Sequence, residues 1–161
     1  MSTQIIRQRK VVTDDFVHIA DDAELPANGQ PIVTLARYVK QGGELAERYP
    51  RLGVRVPSDK LPQDIPHTGR LALIAIEFPK FTDGRGYSVG RMLRDRHGFT
   101  GELRAVGWVL RDNLFYLERC GFDAFELKAG KSLDSALEAF GELSATYQAA
   151  TDDKRPIYRR R

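Results

Sequence analysis

Short apolar runs alternate along the chain with segments of helical periodicity. The run LALIAIEF, residues 71–78, is apolar at nearly every position, which is typical of a central strand covered on both faces. Five such runs predict strands: PIVTLARY, RLGVRVPSD, LALIAIEF, ELRAVGWVL and FDAFELK. The short connections between strands and helices indicate βαβ units with right-handed crossovers. We therefore predict a single α/β domain with about five mainly parallel strands and flanking helices.

Two architectures fit this alternation. An open three-layer sandwich with helices on both faces is the first choice, and a partial β/α barrel is the second, because a closed barrel needs eight repeats. Ahead of the repeats, the β-rich runs IIRQRKVV and FVHIA flank residues 13–15 and predict a small N-terminal β-hairpin within residues 1–25. The predicted domain spans residues 1–150, and a basic C-terminal tail follows at residues 151–161.

The basic charge of the chain lies mainly in this tail. The formal net charge is +3, but the segment KRPIYRRR contains five basic residues and no acid, so the rest of the chain is slightly acidic. We interpret the tail as a solvated terminus, with docking to an acidic partner or RNA as the alternative. No nucleic-acid-binding motif supports the alternative, so we expect no nucleic-acid partner.

Composition also bears on compartment and cofactors. The sequence contains neither a membrane span of roughly 20 apolar residues nor the apolar part of a secretory signal, so we expect a cytoplasmic protein without membrane contact. The single cysteine, Cys120, excludes an internal disulfide framework, and His18, His67 and His97 lack metal-ligand spacing. Flavin and nicotinamide fingerprints are also missing. We therefore expect no metal and no cofactor.

Charged and polar side chains collect where the predicted strands end. In either architecture, ligands bind beyond the carboxyl ends of parallel strands. Glu77 could act there as a general base if burial raised its pKa, but the pattern assigns no catalytic residue. The candidate ligand-binding residues are Glu77, Lys80, Thr82, Asp83, Arg85, Tyr87, Ser88 and Arg111.

The loop FTDGRGYS, residues 81–88, allows two interpretations. Gly84 and Gly86 could adopt positive φ and let backbone N–H groups converge on an anion, with Arg85 adding a planar guanidinium. The N-terminus of the following helix would supply further donors. Alternatively, the loop is a turn in which Asp83 caps the helix and Arg85 pairs with Asp83 or Glu77. Both interpretations stay open at this point.

Three phrases, FPKFTDGRGYS, GELRAVG and RDNLFYLERCGFDAFEL, resemble a bacterial family, domain of unknown function 934. The resemblance is densest from Leu71 to Leu127. Trp108 stands where the family usually has an aspartate, and Asn113 stands where it usually has a glutamine. If that aspartate is catalytic in the family, this chain lacks the step.

Members of this family are often labelled as probable oxidoreductases involved in sulfite reduction. The resemblance therefore implies a place in sulfur metabolism, beside a sulfite reductase that carries the redox centres. Our first expectation is an accessory protein of assimilatory sulfite reduction, which binds the reductase, another sulfur-assimilation protein or a small oxyanion at the FTDGRGYS loop. The alternatives are a small-molecule oxidoreductase of sulfur metabolism, with its site at the strand ends, and a non-catalytic docking scaffold.

Overall fold

The computed structural model describes residues 3–160, and these residues form eight β-strands and four α-helices. The strands are β1 (Gln4–Arg7), β2 (Lys10–Thr13), β3 (Phe16–His18), β4 (Gln30–Thr34), β5 (Gly53–Val56), β6 (Leu73–Phe78), β7 (Glu102–Gly107) and β8 (Ala124–Phe125). The helices are α1 (Leu35–Arg48), α2 (Arg85–Asp95), α3 (Arg111–Arg119) and α4 (Leu133–Leu137). Short 3-10 turns at Pro62–Asp64, Thr68–Arg70, Glu138–Gly141 and Ile157–Arg159 complete the description. No helix within residues 3–160 is both long and apolar enough to span a bilayer.

All strands belong to one curled sheet, in the order β2-β1-β8-β7-β6-β5-β4-β3. Strands β3 to β8 are parallel and consecutive, whereas β1 pairs antiparallel with both β2 and β8. The prediction of a mainly parallel sheet with LALIAIEF in its interior is confirmed, since β6 lies between β5 and β7. The prediction of five strands is wrong, because β1, β2 and β3 extend the same sheet.

The consecutive strand order places the helices on one face of the sheet. Right-handed crossovers that always advance in one direction keep their helices on the same side, whereas helices on both faces require a reversal of strand order. Buried side chains from all four helices accordingly join one large cluster with the outward-facing residues of the strands. The open three-layer sandwich is therefore wrong, and the sheet forms a half-barrel, which matches our second choice.

The inner face of the half-barrel has a smaller apolar cluster, built from Phe16, Ile32, Leu73, Ala75 and Val106. Beside this cluster lies Arg104 of β7, whose side chain is fully buried. Its charge is compensated by the carboxylates of Asp14 and Glu102. Arg104 donates to Asp14 through Nη1 and Nη2 at 2.7 and 2.8 Å, and to Glu102 through Nε at 2.8 Å.

The predicted hairpin between IIRQRKVV and FVHIA is wrong, because a hairpin forms within IIRQRKVV and FVHIA supplies β3, which pairs with β4. Strands β1 and β2 pair across a two-residue turn at Gln8 and Arg9, which both have positive φ. Residues 14 and 15 instead connect β2 to β3, which lies at the opposite edge of the sheet. This short link helps to hold the two edges close together and so contributes to the curl.

Candidate functional site at the carboxyl ends of the parallel strands

A cavity of about 660 Å³ lies beyond the carboxyl ends of β4, β5 and β6. We call it the carboxyl-end cavity. Its walls are the ends of these strands, the first turns of α1 and the loop of residues 57–64. A continuous parallel sheet delivers three consecutive strand ends to this edge, which is where ligands of α/β proteins bind. Of the candidate residues, Glu77 lines the cavity.

Three cations surround the cavity. Arg55 comes from β5, Lys40 from α1 and Lys60 from the loop after β5. Within residues 3–160, neither lysine lies within ion-pair distance of a carboxylate. Arg55 Nε lies 3.9 Å from a Glu77 carboxylate oxygen, too far for a hydrogen bond. The cations at this edge are thus poorly paired with the carboxylates that also line the cavity.

Two further carboxylates of the cavity have partners within the chain. Asp64 accepts a hydrogen bond from the backbone N–H of Leu61 at 2.8 Å, which closes the 3-10 turn there. Asp21 accepts a hydrogen bond from the hydroxyl of Thr34. Thr34 is also the N-cap of α1, because its hydroxyl oxygen accepts from the N–H of Arg37 at 3.2 Å.

The acidic side chains do not converge on one point. No group of three or more His, Cys, Asp or Glu side chains in the described part of the chain is close enough together to hold a metal ion. The arrangement therefore favours an anionic or mixed-charge ligand that accepts hydrogen bonds from Arg55 and the two lysines. It does not present the oxygen-ligand set that a hard cation requires.

The FTDGRGYS loop lies beside the cavity and is joined to it through Ser58. Asp83 accepts from the Arg85 guanidinium at 2.8 and 3.0 Å and from the Ser58 hydroxyl at 2.7 Å. The Arg85 guanidinium holds the pKa of the Asp83 carboxyl well below its usual range. The pairing is the one that the turn interpretation predicted, and yet 62% of the Arg85 side chain remains exposed to solvent.

The two glycines of the loop do not adopt positive φ. Gly84 has φ −87° as the N-cap of α2, and Gly86 lies within the helix. A Cβ atom on Gly86 would lie 2.7 Å from Cζ of Phe78, so this glycine lets the helix approach β6 closely. The expected convergence of N–H groups through positive φ is therefore wrong, and the glycine is required for packing instead.

The other candidate residues lie in different surroundings. Lys80, Thr82 and Ser88 are exposed on the loop and the first turns of α2. The Tyr87 ring packs against Phe78 in an edge-on arrangement, and burial raises the pKa of its hydroxyl.

Arg111 lies apart from these, at the start of α3. Its guanidinium pairs with Glu142 at 2.5 Å and lines a second cavity of about 250 Å³ beyond β7 and β8. The structure thus brings Glu77 to the carboxyl-end cavity, with Asp83 and Arg85 beside it.

Sequence reasoning missed Thr34, Lys40, Arg55 and Lys60. Arg55 could have been found, because GVRV places one charged residue in an otherwise apolar strand that ends at the same edge as Glu77. Thr34 could have been found as a helix cap directly after a strand. The positions of the two lysines depend on how α1 and the loop of residues 57–64 pack, which no local pattern predicts.

The family profile described as bacterial protein of unknown function (DUF934) matches residues 53–158, which is more than half of the chain. The chain belongs to this family. The matched range includes β5 to β8, the FTDGRGYS loop and Arg55, whereas β4, α1 and Lys40 precede it. No curated protein and no solved structure matches the chain.

Proposed function

We propose that the protein binds a small anionic ligand in the carboxyl-end cavity and serves as an accessory protein of assimilatory sulfite reduction. The observation that supports binding is the poor pairing of the three cations of the cavity, although three carboxylates also line it. Within residues 3–160, Lys40 and Lys60 have no carboxylate partner and Arg55 has only the long contact with Glu77 at 3.9 Å. Asp21 and Asp64, by contrast, accept hydrogen bonds from Thr34 and Leu61. An anion at this edge would accept charge-assisted hydrogen bonds that the protein itself does not supply.

The pathway part of the proposal rests on the resemblance to proteins labelled for sulfite reduction. It makes sulfite and sulfate the first ligands to test. Arg85 extends the positive surface beyond the cavity, so the FTDGRGYS loop remains part of the proposed binding edge. A sulfite reductase as the partner and the cytoplasm as the compartment stay predictions.

Calorimetric titration with sulfite, sulfate and phosphate tests the binding. For such small ions we expect saturable binding with a Kd on the order of millimolar. The double variant Lys40→Ala/Lys60→Ala should bind at least tenfold more weakly. Lys10→Ala is the matched control, because Lys10 is an exposed lysine on β2, outside the cavity. Equal binding by the double variant, the control and the wild type would contradict the proposed site.

A small-molecule enzyme is the second candidate, and Glu77 is the observation that favours it. Its carboxylate lines the cavity, and its nearest basic partner in the described residues is Arg55 at 3.9 Å. A carboxylate so placed could accept a proton from a bound substrate. Glu77→Gln would then abolish turnover while preserving binding, whereas a pure binding protein would show no turnover in either form.

A further inference from the structure

We infer that the ligand of the carboxyl-end cavity is an organic anion with an apolar body, and not a bare inorganic oxyanion. This inference rests on the binding function proposed above and adds the chemical class of the ligand. Its first support is size. The cavity has a volume of about 660 Å³, which lies within the roughly 300–1,000 Å³ of pockets that hold small organic molecules. Sulfite or sulfate would leave most of this volume to water.

The second support is the apolar wall of the cavity. Leu35, Ala36 and Val39 come from the first turns of α1, and Pro57 comes from the segment after β5. Ala36 and Val39 are three residues apart and therefore share one side of the helix. Val39 is 59% exposed to solvent. An apolar body bound along this side would remove that surface from water, which a bare oxyanion cannot do.

The third support is the position of the charges relative to the wall. Lys40 follows Val39 directly in the chain, and Lys60 comes from the loop that begins at Pro57. The cavity thus combines an apolar wall with a few charged groups, as sites for small organic molecules do. The anionic group of the ligand contacts the lysines and Arg55, and its apolar body contacts α1.

A series of sulfonates with one constant anionic group tests the inference. Methanesulfonate, benzenesulfonate and naphthalene-2-sulfonate are titrated into the wild-type protein by calorimetry, with uncharged naphthalene-2-sulfonamide as a fourth probe. We expect the Kd to fall at least tenfold from methanesulfonate to naphthalene-2-sulfonate, and the sulfonamide to bind at least tenfold more weakly than the latter. Equal affinity for the three sulfonates overturns the inference but leaves the proposed anion site intact. If all three sulfonates fail to bind, the inference fails, and the titration with sulfite, sulfate and phosphate decides separately on the proposed anion site.

Val39→Ser locates the apolar contact. This variant should lose most of the gain in affinity from methanesulfonate to naphthalene-2-sulfonate, and it should bind methanesulfonate as the wild type does. Val17→Ser is the matched control, since Val17 is 58% exposed and lies on β3, outside the cavity. A thermal melt confirms that both variants fold. If Val39→Ser keeps the full gain, or Val17→Ser loses it equally, the assigned contact is wrong.

Discussion

His18 and Glu126 connect the first and last parallel strands across the inner face of the half-barrel, with His18 Nε2 2.9 Å from a carboxylate oxygen of Glu126. His18 ends β3, and Glu126 directly follows β8, so the contact spans six strands of the sheet. Such a bridge is possible because the sheet curls. The Arg104 guanidinium lies on the same face, with Nη1 3.9 Å from a carboxylate oxygen of Glu126.

This bridge should make the stability of the protein sensitive to acid. The hydrogen bond from His18 lowers the pKa of Glu126 from its ordinary value of 4.5. A carboxyl with a lowered pKa contributes stability above its unfolded-state pKa and loses it as the pH falls through the folded-state value. We expect Glu126→Gln to reduce the free energy of unfolding by about 1 kcal/mol at pH 6.

The difference between Glu126→Gln and the wild type should shrink as the pH falls from 5 to 3, because the wild-type carboxyl then becomes protonated. Urea unfolding at pH 6, 5, 4 and 3 measures it. A difference that stays constant over this range would show that the loss at pH 6 does not come from the charge of Glu126.

The buried pair of Arg104 and Asp14 predicts a large stability loss. Arg104→Ala would leave the Asp14 carboxylate, whose side chain is 3% exposed, without its two guanidinium hydrogen bonds. Removing one partner of a buried ion pair costs about 3–5 kcal/mol. Urea unfolding should show this loss for Arg104→Ala. The double variant Arg104→Met/Asp14→Asn should recover part of it, because the Asp14 charge is removed as well and Glu102 keeps Arg7 as a partner at 2.8 Å. Equal losses in both variants would contradict this cause.

The sequence predicted the parallel repeats, but it favoured an open sandwich over the curled half-barrel that forms. LALIAIEF is apolar on both faces, and that local property sufficed to place β6 inside the sheet. The position of β3 depends on pairing with β4, and the half-barrel depends on contacts such as Arg104 with Asp14, 90 residues apart in the chain. Arg104 also lies in a run that reads as an ordinary strand, so its burial becomes visible only with its partner in place.

The candidate site was also predicted only in part, because the packing of distant segments places some of its residues. Glu77 follows directly from the rule that parallel strands present their carboxyl ends to ligands. The lysines of the cavity come from a helix and a loop whose packing the rule does not describe. For Gly86, the sequence indicated that a glycine was needed, but its close contact with Phe78, and not a positive φ, is the reason.

The C-terminal tail should divide into a dispensable and a required part. Arg160 hydrogen-bonds to the half-buried Thr146, whereas Asp152 pairs at 2.7 Å with the buried Arg119. Deleting residues 154–161 should therefore change the melting temperature by no more than roughly 3 °C. Deleting residues 151–161 should lower it further, because the Arg119 guanidinium loses its carboxylate. Thermal melts of the two truncated proteins measure this, and equal melting temperatures would contradict a structural role of Asp152.

Arg85 separates the two interpretations of the FTDGRGYS loop. If the loop belongs to the proposed binding edge, Arg85→Ala should weaken sulfite or sulfate binding roughly tenfold or more, the scale of a lost hydrogen bond to a charged group. Its melting temperature should stay within roughly 2 °C of the wild type, because exposed ion pairs contribute little to stability. Arg85→Lys should restore binding only in part, since an ammonium group lacks the planar fork of a guanidinium.

The turn interpretation predicts the opposite result for Arg85→Ala. The main role of Arg85 would then be to stabilise the turn through its hydrogen bonds with Asp83. The melting temperature of the variant would fall, and its folded fraction would bind anions as the wild type does. Calorimetry and thermal melts on the same protein samples distinguish the two outcomes. Asp83→Asn provides the matched comparison, because it weakens the pair from the other side while leaving the guanidinium free. Under the binding hypothesis, Asp83→Asn should bind sulfite at least as tightly as the wild type, since a competing carboxylate has been removed; weaker binding would show that the pair itself shapes the site.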